Sequence, residues 1–401
     1  MRVVFLNPSG ELGGAETALL EMLAALRAAR PNWTLGLVAS ADGPLVERAS
    51  RLGAQSASLV FPRSLARLGE WGRRGSFGAR FRLGAAISGA AAPTLQYASR
   101  LRHHLNDLKP DIVHTNGLKM HLLGAQCRPA GAKLLWHLHD YPRSRPMTAA
   151  LLRAQADRCA AVLANSESVA ADTRALLGAR VPVQTVYNAV DLDRFCPEGP
   201  SLDLDALARL PPPPAGTLRV GLLGTFARWK GHDVFLRALS LLRAAGIRGY
   251  IIGEPIYETA ASQFSMRELQ ELSAAHGLAG SVGFTGRTHD VPAALRALDV
   301  AVHASVEPEP FGLVIAEAMA CGRPVIVSRA GGAAEIAQAG ALFHRPGDAA
   351  DLAARISELI ADPLQRQSLG TEGRQAAQRL FSRGRLAASL VAIYEPLVPA
   401  G

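Results

Sequence analysis

Short apolar runs alternate along the chain with longer amphipathic stretches. The runs at 2–7, 34–39, 134–138, 181–186, 218–223, 250–252, 300–302 and 324–327 have no polar face, so each predicts a strand buried on both sides. Between them, apolar positions at helical spacing predict helices over about 16–29, 44–52, 93–108, 269–276, 313–319, 349–361, 364–379 and 383–394. Strand followed by helix, repeated, implies parallel sheets with helices on their faces. The alternation breaks twice. Phe61–Arg82 is Gly-rich and irregular, with Arg63, Arg67, Arg73, Arg74, Arg80 and Arg82 against Glu70 alone, and Trp71 and Phe77 among them. Residues 196–216 carry Pro197, Gly199, Pro200 and the run Pro211–Pro214, which predicts a linker. The chain therefore divides into an α/β domain over 1–195, a linker over 196–216 and a second α/β domain from 217.

Polar side chains gather where these strands end, which is where open α/β sheets bind ligands. Asn116 ends a further strand, predicted over 110–116, and His139 and Asp140 follow the run at 134–138. His137 and His139 share a face by the two-residue period, but nothing around them has metal-ligand spacing. Gly13 and Gly14 open the first helix as a weak phosphate cradle, without the GxGxxG dinucleotide fingerprint. Gly224, Thr225, Arg228 and Lys230 occupy the first strand-to-helix loop of the second half, where the two cations would neutralise a diphosphate. The stretch from His303 to Gly322 reads strand, Pro-fixed loop, helix. Glu309 lies in its loop, Gly312 at the helix entry and Glu317 about one turn in. Unpaired N–H groups at that entry suit phosphate, and the flanking carboxylates suit sugar hydroxyls. The residues alone leave a solvated loop equally open.

Composition narrows the partners. The 401 residues are 49% hydrophobic, enough for two cores, and carry a net charge of +9 from 43 basic and 34 acidic residues. Only four of the basic residues are lysines, and Lys230 is the sole one in the second half. Aromatics are 5%, and no nucleic-acid-binding signature accompanies the charge, so nucleic acid is not an expected partner. No apolar run reaches the roughly twenty residues of a membrane span, and the N-terminus begins as a strand. Cys127, Cys159, Cys196 and Cys321 are scattered, as in a reduced cytoplasmic protein.

Glu309-Pro-Phe-Gly-Leu-Val-Ile-Ala-Glu317 resembles the Glu-x7-Glu motif of retaining glycosyltransferases of the GT-B fold, specifically glycosyltransferase family 4. The likeness extends to Gly13-Gly14-Ala-Glu16, to His139-Asp140 and to the Gly224–Gly231 loop, and so covers nearly the whole chain. It implies two Rossmann-like β/α/β domains facing across a cleft, with 217–380 binding the nucleotide sugar and the final helix, within 381–401, crossing back to the first domain. It assigns Glu309 to the donor sugar and Glu317 to the ribose. Backbone amides at Phe311, Gly312, Leu313 and Val314 would hold the diphosphate and sugar. Thr285 and Gly286 would line the base, Gly13 and Gly14 would approach donor phosphate and acceptor, and His139 would meet the transferred sugar. Lys230 and Arg228 would stabilise the leaving group. The family places arginine directly after the first glycine of that loop, where this chain has Thr225; Arg228 is the candidate substitute.

The expected activity is retaining hexosyl transfer from a UDP- or GDP-sugar to a glycan or lipid-linked acceptor in cell-envelope polysaccharide synthesis. No metal and no cofactor beyond the donor are expected. Asp191-x-Asp193 and Asp203-x-Asp205 are read as hinge and linker residues, not metal ligands. The Arg63–Arg82 stretch is the expected contact with an anionic membrane surface, giving a cytoplasmic protein peripheral to the inner face of the membrane. Rival readings are a nucleotide-sugar-binding subunit without activity, for which Thr225 speaks, and a GT-B-type epimerase or phosphorylase. A glycosidase would also pair carboxylates but has no use for the phosphate-binding features around them.

Overall fold

The computed structural model describes residues 1–63, 77–242, 246–255 and 262–398, with backbone alone over 77–91. Most of the Arg63–Arg82 stretch, with the membrane contact expected of it, lies outside the described residues or their side chains. By packing, the chain forms two compact units: 1–189 together with 383–401, and 190–382.

The first unit is built on a seven-stranded sheet of β1 (Arg2–Asn7), β2 (Thr34–Ala39), β3 (Gln55–Ser58), β4 (Ile112–Asn116), β5 (Lys133–Leu138), β6 (Ala161–Ala164) and β7 (Val183–Thr185). Every pairing is parallel, in the order β3-β2-β1-β4-β5-β6-β7. The runs at 2–7, 34–39 and 134–138 are buried on both faces as their patterns require, whereas the edge strand β7 is partly buried with Gln184 exposed. Leu6, Val113, Leu134 and Val162 face one layer of helices, and Phe5, Leu37, Leu135 and Leu163 face the other. The order reverses direction between β1 and β4, and that reversal opens a crevice beyond the strand ends Asn7 and Asn116.

One helix of this unit differs from the expectation, and the last helix packs on this unit as the resemblance implied. The helix expected from Pro93 begins at Phe77 and runs to Leu108 with Pro93 inside it. Proline removes one donor from the ladder, and the buried stripe Tyr97, Leu101, Leu105 holds the rest of the helix to the core through Leu59 and Phe61. The last helix, Arg383–Tyr394, belongs to this unit. Leu386, Leu390, Ile393 and Tyr394 pack among Phe5, Leu19, Leu23 and Trp33. Arg383 grips Glu21 with two hydrogen bonds of 2.6 and 3.0 Å, and the Tyr394 hydroxyl meets His114 Nδ1 at 2.6 Å in the core.

The second unit repeats the plan with β8 (Leu218–Leu223), β9 (Ile247–Ile252), β10 (Val282–Gly286), β11 (Val300–His303), β12 (Val325–Ser328) and β13 (Ala341–His344). All are parallel, in the order β10-β9-β8-β11-β12-β13, with the reversal between β8 and β11. Residues 196–216, expected as a linker, fold onto this unit. Asp203 caps a short helix, Leu204–Leu207, and Asp205 within it is buried. Its carboxylate accepts from Arg248 (2.5 Å), Tyr250 (2.6 Å) and Arg219 (2.9 Å). Arg374 secures the approach by donating to the carbonyls of Leu192 and Phe195. All four cysteines are free thiols, and no helix among the described residues is long and apolar enough to cross a membrane.

Candidate active site

In the second unit the loops after β8 and β11 meet at the sheet's reversal. Residues 228–230 form a single 3-10 turn, and Gly231 follows at φ +74°. A side chain at Gly231 would put its Cβ 2.0 Å from the Ala304 carbonyl oxygen, so glycine is what lets this turn lie against the end of β11. The Val306 N–H donates to the Trp229 carbonyl at 2.8 Å and staples the two loops together. Lys230 is thereby carried to Glu309, and its Nζ lies 2.5 Å from Oε2.

The same carboxylate oxygen takes a hydrogen bond from Ser305 Oγ at 3.2 Å and lies 3.3 Å from His303 Nε2. Ser305 Oγ and His303 Nε2 are 2.9 Å apart, which orders the chain as histidine to serine to carboxylate. Glu309 is 8% exposed. Burial pushes its carboxyl up, but Lys230 and the hydrogen bond from His303 outweigh burial and bring it down to about 2. Burial lowers His303 against the pull of Glu309, leaving a neutral ring. The result is a buried anion, one cation and a neutral donor, held on the end of β11 and the loops after β8 and β11.

Gly312 follows at φ +87° and caps the helix Leu313–Ala320, as the glycine spacing predicts. A side chain there would collide with Ile315 Cδ1 at 2.7 Å and lie 3.5 Å from Glu309 Cγ. The first amides of this helix, at Leu313 and Val314, have no partner within it and sit beside the Glu309 loop. Phe311 is 3% exposed, with its ring edge-on to Phe381, so only its backbone is available to a ligand. Glu317 is half-buried one turn along. Thr285 and Gly286 end β10, where the threonine hydroxyl donates to the Gly286 carbonyl. Gly224 and Thr225 follow β8 directly and are partly open.

Arg228 behaves differently from Lys230. Its guanidinium pairs with Glu268 at 2.8 Å and stacks over Phe264, 4.2 Å from the ring centre. The two cations leave one turn toward different carboxylates.

In the first unit, His139 lies just beyond β5, half-buried, and its Nε2 is 3.4 Å from Asn116 Oδ1. Its ring stacks on His137, centroids 4.1 Å apart, and His114 meets His137 edge-on at 5.4 Å. Burial lowers His139 to about 4 and His114 and His121 to about 3, so this layer is neutral at physiological pH. Gly13 caps the helix Gly14–Ala29, and its N–H is held by Glu16 Oε2 at 3.1 Å. Asp140 pairs with Arg145 at 3.1 Å in solvent. No group of three or more His, Cys, Asp or Glu that could hold a metal ion occurs among the described residues. Sequence reasoning passed over His303, Ser305 and Asn7. Their one legible signal was a polar residue at or just past the end of a buried strand.

Two parallel Rossmann-like units, each with its polar loops at the reversal of its sheet, define the GT-B class of glycosyltransferase fold. The profile described as Glycosyltransferase Family 4 matches residues 12–194, and that described as Glycosyl transferases group 1 matches residues 217–362. The chain belongs to glycosyltransferase family 4.

The D-inositol 3-phosphate glycosyltransferase of Salinispora arenicola is 32% identical over 275 residues, covering 65% of this chain and 59% of that protein. The GDP-mannose-dependent alpha-(1-6)-phosphatidylinositol monomannoside mannosyltransferase of Mycolicibacterium smegmatis is 29% identical over 288 residues, covering 64% and 68%. The first of these matches thus spans about three-fifths of its relative's length. In fold, the chain is similar to Anabaena Alr3699/HepE solved in complex with UDP, with a TM-score of 0.77, 23% identity, and 98% of this chain and 99% of that one covered. It is equally similar to sucrose-phosphate synthase from Thermosynechococcus elongatus, with a TM-score of 0.77, 21% identity and 99% of each chain covered.

Proposed function

We propose that this protein transfers a hexosyl group from a nucleoside diphosphate sugar, with retention, to a hydroxyl of a glycan or lipid-linked acceptor, without a metal ion. The observation that carries the proposal is the Lys230–Glu309 pair, buried beside the amide end of the Leu313–Ala320 helix. A cation and a row of oriented N–H groups at one spot stabilise a departing diphosphate. A carboxylate held ionised beside them accepts from the sugar's hydroxyls. Glu317, farther along the helix, is assigned to the ribose. The donor class is supported by fold neighbours solved with UDP and with UDP-glucose.

The chemistry follows from these groups. The bond from the anomeric carbon to the diphosphate oxygen breaks with its electrons leaving on the diphosphate, whose charge Lys230 and the helix amides take up. The acceptor oxygen bonds to the same face of that carbon, and its proton passes to the departing phosphate. Arg228 is the second cation of this scheme once it exchanges Glu268 for phosphate; that pair is solvent-screened, so the exchange costs little. His139 would bear on the transferred sugar. A place in cell-envelope polysaccharide synthesis is part of this reading, supported by the relative named for a phosphatidylinositol monomannoside.

A second reading, donor binding without transfer, is favoured by Thr225 in the family's arginine position and by the engagement of Arg228 with Glu268. Incubation with UDP-glucose, GDP-mannose and related donors in EDTA separates the two. Slow release of the nucleoside diphosphate without metal supports the transferase. Tight donor binding with no release in any condition supports the second reading, and release that requires added magnesium or manganese overturns the metal-free mechanism.

A further inference from the structure

Where β11 and β12 of the second unit begin lies a cavity of about 500 Å³, lined by Asp299, Gly322, Arg323, Arg366, Gly370 and Arg374 among others. It sits at the carboxyl end of the helix Leu313–Ala320, whose eight residues, about 12 Å, separate it from the Glu309 loop. Three arginines line it, each with its guanidinium held by carbonyls. Arg374 donates to Phe195 and Ala320 at 2.8 Å each and to Leu192 at 3.3 Å. Arg323 donates to Cys321, Leu298 and Arg296, and Arg366 to Leu359 and Ile360. One arginine on the last carbonyls of a helix is an ordinary cap. Three around one cavity ask for more, because among the described residues none of them pairs with a carboxylate. The one acid in the wall, Asp299, accepts instead from the Arg219 N–H at 2.7 Å. All three arginines are partly exposed, and each keeps N–H groups that the carbonyls leave unused.

The helix Pro363–Leu380 sets out one wall in two rows. Arg366, Gly370 and Arg374 follow at four-residue steps, and Gly370 adds no side chain to the gap between the arginines. Gln367, Thr371 and Gln375 run beside them, exposed, and the two glutamine amides make no hydrogen bond among the described residues. We propose that this cavity is a second ligand site, separate from the donor site, that takes a small sugar monophosphate. The inference goes beyond the transferase reading and does not depend on it. Carbonyls carry only partial charge, so they position the arginines without discharging them. Three cations against one carboxylate leave an excess that a phosphate monoester, of charge about −1.5 to −2 at pH 7, neutralises. Guanidinium N–H groups are strong donors to its oxygens, and the glutamine amides and the Thr371 hydroxyl serve the hydroxyls of the sugar. The volume falls within the roughly 300–1,000 Å³ of small-molecule sites.

The test is isothermal titration calorimetry on the full chain with UDP in excess, which keeps sugar phosphates out of the donor site. The probes are glucose 6-phosphate and ribose 5-phosphate, with glucose and inorganic phosphate as controls. At least one sugar phosphate is expected to bind with a submillimolar Kd, and both controls at least tenfold more weakly. Gln367→Glu combined with Gln375→Glu brings negative charge to the wall and leaves every arginine–carbonyl bond intact. That variant is expected to lose at least tenfold in affinity with an unchanged circular dichroism spectrum, and Arg366→Gln to do the same. Should Arg366→Gln fold poorly, the glutamate pair at its exposed positions decides alone. Absence of binding by both sugar phosphates, inorganic phosphate binding as tightly as they do, or equal binding by the glutamate variant overturns the proposal. Phosphatidic acid in phosphatidylcholine vesicles presents the same monoester on a lipid. Co-sedimentation that the glutamate variant abolishes, without binding of the soluble phosphates, makes the source a lipid and overturns the soluble ligand.

Discussion

Replacing Glu309 by glutamine keeps the shape of the side chain and removes its charge, which tests the central pair directly. The Lys230 side chain is 19% exposed and that of Glu309 11%, so neither is well solvated. Removing one partner of a buried pair strands the other, at about 3–5 kcal/mol. The titration of Glu309 gives a second route to the number. Its carboxyl falls from 4.5 to about 2, and at about 1.4 kcal/mol per unit this amounts to roughly 3 kcal/mol. The sign follows from the direction. A carboxyl whose folded value is depressed contributes fully above its unfolded value near 4.5, and the contribution fades as pH falls from there toward 2.

Hydrogen exchange of peptides spanning 225–232 and 303–313 reads the second unit alone. Glu309→Gln is expected to lower their opening free energy by about 3 kcal/mol at pH 7, and the gap is expected to narrow below pH 4.5. Free UDP should bind the variant more tightly, because Lys230 no longer shares its charge with a carboxylate. Transfer should fall about 10–100-fold with the loss of a charge-assisted hydrogen bond to the sugar. A gap below about 1 kcal/mol at pH 7, a gap independent of pH, or weaker UDP binding would refute this account of the pair.

Three further outcomes are expected. His114, His121 and His139 are held neutral by burial, so as pH drops below about 6.5 the unfolded chain takes up protons that the first unit refuses; each costs about 1.4 kcal/mol per pH unit. The first unit should lose protection in hydrogen exchange between pH 6 and 4, before the second does, and simultaneous loss would count against it. Asp205→Ala leaves Arg248 buried beside Tyr250 without its carboxylate, and urea titration should show the second unit about 3–5 kcal/mol less stable; a loss under about 1 kcal/mol would mean that the cluster is well hydrated. Tyr394→Phe strands His114 Nδ1 in the core and should cost about 1–3 kcal/mol, seen as a lower Tm with an unchanged far-ultraviolet spectrum.

The order of strands and helices was legible in the sequence because it is a local property. Strand segments buried on both faces in a parallel sheet must be apolar, and Leu35–Ala39 and Val220–Leu223 are. The helix entry at Gly312 was legible for the same reason: it depends on a few adjacent residues, and the helix Leu313–Ala320 does begin there. Lys230 stood out as the sole lysine of the second half, and Glu309 and Gly312 through the stretch that resembles the family's Glu-x7-Glu motif.

What pairs with what was decided only by the tertiary fold, since pairing depends on distances between segments far apart in the chain. Lys230 and Glu309 are 79 positions apart and meet because β8 and β11 are neighbours and Gly231 permits the approach. Arg228, two residues from Lys230, turns instead to Glu268, a choice that no local spacing encodes. Asp205 in a proline-rich segment looked solvated until β8 and β9 brought Arg219, Arg248 and Tyr250 beneath it. Asn7 and Asn116 are ordinary strand ends in the sequence. Only the adjacency of β1 and β4 puts both at one cavity, each with half of its amide unpaired, because an unsatisfied hydrogen bond is a property of what surrounds a residue and not of the residue.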